Sequence, residues 1–136
     1  MTSLHSLARI NRLLIVDDEP DILTLVAHDL EPIADHIHAA KNGQEALYLL
    51  EALPIDVVVC DLQMSPIGGI ELLTRARALR IETPFVFLTG FGHKESLAQL
   101  LNLGAAKFLE KPYDPETLRC YVREAGDTQP ARKLLL

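Results

Sequence analysis

The sequence has no tryptophan, only two cysteines and an aromatic fraction of 5%. Leucine, isoleucine and valine therefore have to supply the core, which we expect to be aliphatic. Cys60 and Cys120 lie far apart in the sequence, without the close spacing of a zinc site or the dense pattern of a disulfide framework. Both cysteines are predicted to be small buried hydrophobic residues.

Basic residues are also scarce. The 13 lysines and arginines face 19 aspartates and glutamates, which gives a net charge of −6. Because nucleic-acid phosphates are bound by basic patches, we expect no direct nucleic-acid binding. No apolar run approaches membrane-spanning length and no secretory signal is evident, so we expect a cytoplasmic protein that does not enter a membrane.

Five short apolar segments alternate with five helical patterns. The segments that predict strands are 13–16, 36–40, 56–60, 85–88 and 107–112. The second is the weakest, which favours a place near the edge of a sheet. Alternation without hairpin signals predicts a parallel sheet with helices on both faces. We therefore predict an α/β three-layer sandwich, a five-stranded parallel sheet in a flavodoxin-like doubly wound arrangement.

The chain is short enough to form a single domain of 136 residues. Residues 1–11 are predicted to be an N-terminal arm and residues 12–126 the domain. Gly126 is predicted to end the last helix. Residues 127–136 are interpreted as a C-terminal tail or the stump of a linker.

Charged or polar residues follow four of the five predicted strands. They are Asp17 and Asp18 after the first, Asp61 after the third, Thr89 after the fourth and Lys111 after the fifth. Since parallel strands end at the same edge of a sheet, these side chains are expected to converge. Asp61 alone could equally start a loop and cap the next helix, but five such residues together argue against that interpretation.

This set of residues suits phosphoryl chemistry. Three adjacent carboxylates repel one another unless a cation neutralises them, and their oxygens favour Mg²⁺. Lys111 could pair with a carboxylate or with an anionic substrate. Thr89 and the main-chain N–H groups of Leu62 and Gly90 could donate hydrogen bonds to a phosphoryl group in transfer. Asp61 is the candidate nucleophile that becomes an acyl phosphate.

The sequence resembles the receiver domains of two-component response regulators, of the chemotaxis-regulator type. The matching segments are Val16–Pro20, Cys60–Met64, Gly69–Leu73, Leu88–Gly90 and Gly104–Pro112. The resemblance covers roughly residues 12–125. Each motif alone is weak, whereas all of them in this order are highly specific.

The resemblance implies that Asp61 takes a phosphoryl group from the phosphohistidine of a sensor histidine kinase. Asp18, Asp61 and the main-chain carbonyl of Gln63 would bind Mg²⁺ directly, and Asp17 would act through water. Lys111 would pair with the phosphorylated Asp61.

The resemblance also implies a switch. Thr89 would move toward a phosphoryl oxygen, and Phe108, at the position of the family's switch aromatic, would turn inward. This would reshape the face made by the fourth helix, the fifth strand and the fifth helix, where a downstream protein, or weakly a second copy, would bind. The Lys111–Pro112 peptide bond is expected to be cis.

The sequence departs from the family pattern in the loop after Asp61. Ser65 and Pro66 stand where a proline often follows the methionine directly, and Gly68 replaces a residue that is often acidic. The loop is therefore expected to differ in shape. Phe108 also lacks the hydroxyl of the tyrosine that can occupy its position, so it cannot donate a hydrogen bond to a partner.

Several functions remain open for such a domain. It could be a stand-alone regulator acting by protein binding, a phosphorelay shuttle to a histidine phosphotransfer protein, or a receiver module from a larger effector protein. A phosphatase with an aspartate nucleophile is disfavoured, because that class carries its nucleophile and a second acid on the first strand.

Gln63 and Phe91 flank the expected site and are predicted to set the lifetime of the acyl phosphate. We expect bulky Phe91 to shield it from water, so Phe91→Ala should accelerate dephosphorylation. The loss of phosphate from purified phosphoprotein, followed over time, measures this. An unchanged rate would contradict the shielding role.

Overall fold

The structure is a computed structural model that describes residues 9–90 and 94–127, with the side chains of residues 94–97 excepted. The elements follow one another in the order β1 (Ile10–Val16), α1 (Pro20–Leu30), a short 3-10 helix (Glu31–Ile33), β2 (Ala34–Ala40), α2 (Gly43–Ala52), β3 (Val57–Asp61), α3 (Gly69–Ala78), β4 (Phe85–Thr89), α4 (Lys94–Asn102), β5 (Lys107–Glu110) and α5 (Pro115–Asp127).

The five strands form one parallel sheet in the order β2-β1-β3-β4-β5. This confirms the predicted three-layer fold, and β2 lies at an edge as expected. β3 is buried along its whole length, because apolar residues cover both of its faces. Val16 pairs with Cys60 and Asp61 pairs with Leu88, so Asp61 lies at the carboxyl end of the middle strand.

Two aliphatic cores lie on opposite faces of the sheet. One contains buried residues of α2, α3 and α4 packed on the sheet. The other contains buried residues of α1 and α5, among them Val26, Leu30, Leu118 and Val122. Each helix therefore buries one stripe of apolar side chains, which produces the three layers.

The first strand and the last helix extend one or two residues beyond the predicted domain bounds. β1 begins at Ile10, a buried residue that pairs with Ala34, so the predicted arm overlaps the strand by two residues. Because Asn11 and Arg12 are polar, no apolar run marks the start of this strand in the sequence. At the other end α5 extends one residue past the predicted end to Asp127, and Gly126 within it is buried.

The two cysteines differ in environment. Cys60 is buried, as predicted, but the prediction for Cys120 is wrong because its side chain is exposed. Leu118 and Val122 form the buried stripe of α5, and Cys120 lies midway between them on the opposite side of the helix. Its thiol donates a hydrogen bond to Glu124 Oε1 at 3.5 Å.

In the described part of the chain, none of the helices combines the length and the apolar character needed to cross a membrane.

The loop between β3 and α3 is held in place at both ends. Ser65–Pro66 is a cis peptide, which the sequence did not predict. Buried Ile67 lies so close to the start of α2 that a Cβ on Gly43 would be 2.7 Å from its Cγ2. A Cβ on Gly69 would lie 2.9 Å from Phe87 Cε1 and 3.1 Å from the carbonyl oxygen of Asp61. The loop therefore returns to the sheet only because residue 69 has no side chain.

Gly69→Ala should destabilise the domain by about 1–3 kcal/mol, because the methyl group has to displace packed core and backbone atoms. Gly68→Ala is the matched control. Its Cβ would meet nothing closer than 3.7 Å, and alanine at this N-cap costs only about 0.5 kcal/mol. Urea unfolding of the two variants measures the difference. Equal losses would contradict the packing argument.

Candidate functional site

Three carboxylates meet at the carboxyl edge of the sheet. One oxygen each from Asp17, Asp18 and Asp61 lies within 4.8 Å of the other two. Asp17 and Asp61 are buried, with 2% and 8% of their surface exposed, whereas Asp18 is exposed. The structure thus brings together the three acids that the sequence placed at the ends of β1 and β3.

Main-chain N–H groups hold each carboxylate. Glu19 N–H donates to Asp17 Oδ1 at 2.9 Å, and Gln63 N–H donates to Asp61 Oδ1 at 3.3 Å. Both are donors two residues beyond the acid, the geometry of an Asx turn. Asp18 Oδ2 accepts a longer hydrogen bond, 3.4 Å, from the N–H of Ser65 in the next loop. These bonds orient the carboxylates before any ligand is bound.

Lys111 supplies a positive charge next to Asp61. Its Nζ lies 3.3 Å from Asp61 Oδ1, and its main-chain N–H donates to the carbonyl of Thr89 at 2.9 Å. The Lys111–Pro112 peptide is cis, as predicted. With all four groups ionised, three negative charges against one positive charge leave the cluster at −2.

Burial raises the pKa of Asp17 above its usual value. The hydrogen bond from Glu19 N–H opposes this rise, and the charge of Asp61 adds to it. Lys111 alone does not compensate for the negative charge collected here. The donors are carboxylate oxygens, the hard ligands that Mg²⁺ prefers, so the residues present suit a divalent cation of this kind.

Thr89 ends β4 as a buried residue, and its hydroxyl donates to the carbonyl of Gly90 at 3.1 Å. The Thr89 carbonyl accepts a hydrogen bond from the main-chain N–H of Lys111, which places Thr89 beside the site. Its movement toward a phosphoryl oxygen remains a prediction. The expectation for Leu62 is wrong. Its N–H donates to Leu88 O at 2.9 Å and extends the pairing of β3 with β4, so it is not available to a ligand.

The N–H group that donates to Asp61 belongs to Gln63, which was not predicted as a hydrogen-bond donor. A residue two positions after an aspartate commonly donates to its carboxylate, and this pattern could have identified Gln63. Gln63 also lines a shallow cleft beside Asp18, together with Leu62, Met64 and Ser65. Its carbonyl as a metal ligand remains a prediction.

Phe108 lies on β5, half-buried against the core shared with α2 and α3. Its ring stacks on Phe87 with a centroid separation of 6.3 Å and an interplanar angle of 19°. Phe91, for which a shielding role was predicted, lies outside the described residues.

Comparison with known proteins places this geometry in a family. The family model described as response regulator receiver domain matches residues 13–123. The regulatory protein AtoC of Escherichia coli is 32% identical over 124 residues, which cover 91% of this chain and 27% of that protein. The alkaline phosphatase synthesis transcriptional regulatory protein PhoP of Bacillus subtilis is 30% identical, covering 82% and 47%. The chain thus spans less than half the length of these relatives.

Solved structures give the same result. The receiver domain of the Francisella response regulator 1452 superposes with a TM-score of 0.78 at 29% identity, covering 86% of this chain and 97% of that one. A response regulator receiver domain protein from Clostridium thermocellum gives 0.82 at 25% identity, covering 93% and 100%. With a family match over most of its length and this agreement in fold, the chain belongs to the response regulator receiver domains.

Proposed function

We propose that this receiver domain accepts a phosphoryl group on Asp61 from the phosphohistidine of a sensor histidine kinase, in a reaction that depends on Mg²⁺. Response regulator receiver domains interact with histidine kinases and effector domains. The observation that carries the proposal is the cluster itself. Three carboxylate oxygens lie within 4.8 Å of one another, and one ammonium group lies 3.3 Å from Asp61.

In the proposed step an Asp61 carboxylate oxygen attacks the phosphorus atom. The new P–O bond forms as the P–N bond to the kinase histidine breaks, and the leaving imidazole nitrogen keeps the electron pair. The Asp61 side chain is 11% exposed, so a phosphoryl donor can approach one side while the sheet covers the rest. Lys111 and the N–H of Gln63, both already beside Asp61, stabilise the charge on the acceptor and the transferred oxygens.

The metal would be held by Asp18, Asp61 and the Gln63 carbonyl, with Asp17 acting through water. Receiver domains bind Mg²⁺ through acidic residues, and this chain carries such a cluster. The bound cation would supply positive charge that offsets the charge on the transferring phosphoryl group. The hydrogen bonds from Glu19 and Ser65 keep the two β1 carboxylates oriented for this task.

Phosphorylation would shift a population of two arrangements. Thr89 would exchange its bond with the Gly90 carbonyl for one with a phosphoryl oxygen, and Phe108 would favour its inward position. The face made by α4, β5 and α5 would then bind a downstream protein or, weakly, a second copy. This face carries exposed Leu101 and an ion pair between Lys107 and Glu124, 2.7 Å long, so it offers apolar and charged contacts.

A role within a longer regulator is a second proposal, favoured by the length of the relatives. The aligned region covers only 27% of AtoC and 47% of PhoP. A phosphorelay shuttle is the third. Rapid return of the phosphoryl group from Asp61 to a purified histidine phosphotransfer protein would favour the shuttle, and a stable phosphoprotein would favour the other two.

Incubation with acetyl phosphate and Mg²⁺ should add one phosphoryl group to the protein, as read by intact mass. Asp61→Asn should gain none, because the amide is not a nucleophile of this kind, and removal of Mg²⁺ with a chelator should suppress the adduct on wild type. An adduct on both proteins, or on neither, would overturn the assignment of Asp61.

Asp17→Asn should stabilise the metal-free protein at pH 7. It removes one repelling charge, and its amide oxygen can still accept the bond from Glu19. A carboxyl whose folded pKa is raised costs stability at neutral pH, and this cost disappears as the pH falls below its unfolded value, about 3.8. We therefore expect the Tm of Asp17→Asn to exceed that of wild type at pH 7.

The gain should shrink as the melts are repeated toward pH 4. Added Mg²⁺ should raise the Tm of wild type more than that of Asp17→Asn. Glu51→Gln removes the same charge at an exposed position of α2 and controls for net charge. A gain that does not change with pH would contradict the electrostatic origin.

A further inference from the structure

A row of rings leads away from the site across one face of the sheet. Phe108 stacks on Phe87 at 6.3 Å, and Phe87 lies 5.6 Å from Phe85 with a 31° angle between the rings. The guanidinium of Arg77 on α3 lies over Phe85, 5.7 Å from its centroid. All three separations fall within the range in which such pairs attract.

Phe87 is the fixed member of the pair with Phe108. It is fully buried, and it pairs with Cys60 on one side and Phe108 on the other. Its Cε1 would lie 2.9 Å from a Cβ on Gly69, so the start of α3 closes one side of the ring. Phe108, by contrast, is only half-buried at the outer strand.

Arg77 fixes the far end of the row. Its guanidinium donates to the carbonyls of Leu103 at 3.0 Å and Ile81 at 2.7 Å, and also to Thr83 at 3.1 Å. Phe85 is thus confined between Arg77 and Phe87. The row therefore ends at an anchored side chain of α3.

Thr89 and Phe87 are two residues apart on β4, so their side chains lie on the same face of the strand. Thr89 lies nearer the carboxylates, and Phe87 lies directly below it beside Phe108. A movement of Thr89 would therefore change the space above the rings of Phe87 and Phe108. Of these two rings, the half-buried Phe108 is the one with room to move.

We propose that the position of Phe108 stacked on Phe87 is its inward one, and that Phe87 is a positioning residue of the switch that holds the ring there. The inference rests on the proposed function, since it concerns how phosphorylation of Asp61 is coupled to Phe108. An offset-stacked pair stabilises the inward arrangement beyond simple burial. Because ligand affinity scales with the fraction of molecules in the competent arrangement, Phe87 raises the apparent affinity for a phosphoryl group without touching it.

The test uses beryllofluoride with Mg²⁺, a mimic of the phosphoryl group, and measures its affinity by calorimetric titration. Phe87→Leu and Phe108→Leu should each weaken binding about two- to tenfold, the range that corresponds to one aromatic pair. The double variant should be no weaker than Phe108→Leu, because either change alone already removes the stack. Phe87→Met provides a second aliphatic replacement if Phe87→Leu does not fold.

Phe85→Leu is the matched control, since it truncates a buried ring on the same strand that does not stack on Phe108. It should lower the thermal stability as Phe87→Leu does, yet change the affinity less than about twofold. Equal losses of affinity in the two variants, or additive losses in the double variant, would overturn the positioning role. If wild type itself fails to bind beryllofluoride, the proposed function fails instead.

Discussion

Repulsion among Asp17, Asp18 and Asp61 is the constraint on which this site depends. The parallel sheet ends its middle strands at one edge, so it forces these acids together, and it buries two of them. The ammonium group of Lys111 offsets one of the three negative charges and leaves the other two uncompensated. The fold therefore carries an electrostatic cost that a divalent cation would relieve. Binding of such a cation would stabilise the folded domain, and would thus couple binding to the stability of the strands that carry the acids.

Burial of apolar side chains in the two hydrophobic cores of the domain offsets the electrostatic cost of the clustered acids. β3 and β4 are buried along their whole length, so the strands that carry Asp61 and Thr89 are its most firmly packed parts. Asp61 and Thr89, the candidate site residues, lie at the ends of these strands, and the half-buried Phe108 lies on the outer strand β5. The strand order therefore places the candidate site residues near the centre of the sheet and the half-buried Phe108 at its edge.

The sequence predicted what depends on short-range pattern. Apolar runs and helical stripes gave the order of elements, and the rule that parallel strands end at one edge gave the convergence of Asp17, Asp61 and Lys111. The N–H of Leu62 was misassigned because its pairing with β4 is a contact between distant segments. The exposure of Cys120 did have a local signal, because the helical spacing of Leu118 and Val122 places Cys120 on the opposite side of α5.

The contact between Ile67 and Gly43 limits how a donor can approach. It joins the loop after Asp61 to the start of α2, so a shift of this loop would also disturb the start of that helix. Under the proposed function, a kinase would have to fit the contour of this loop. Shape as well as charge would then select the phosphoryl donor on this side.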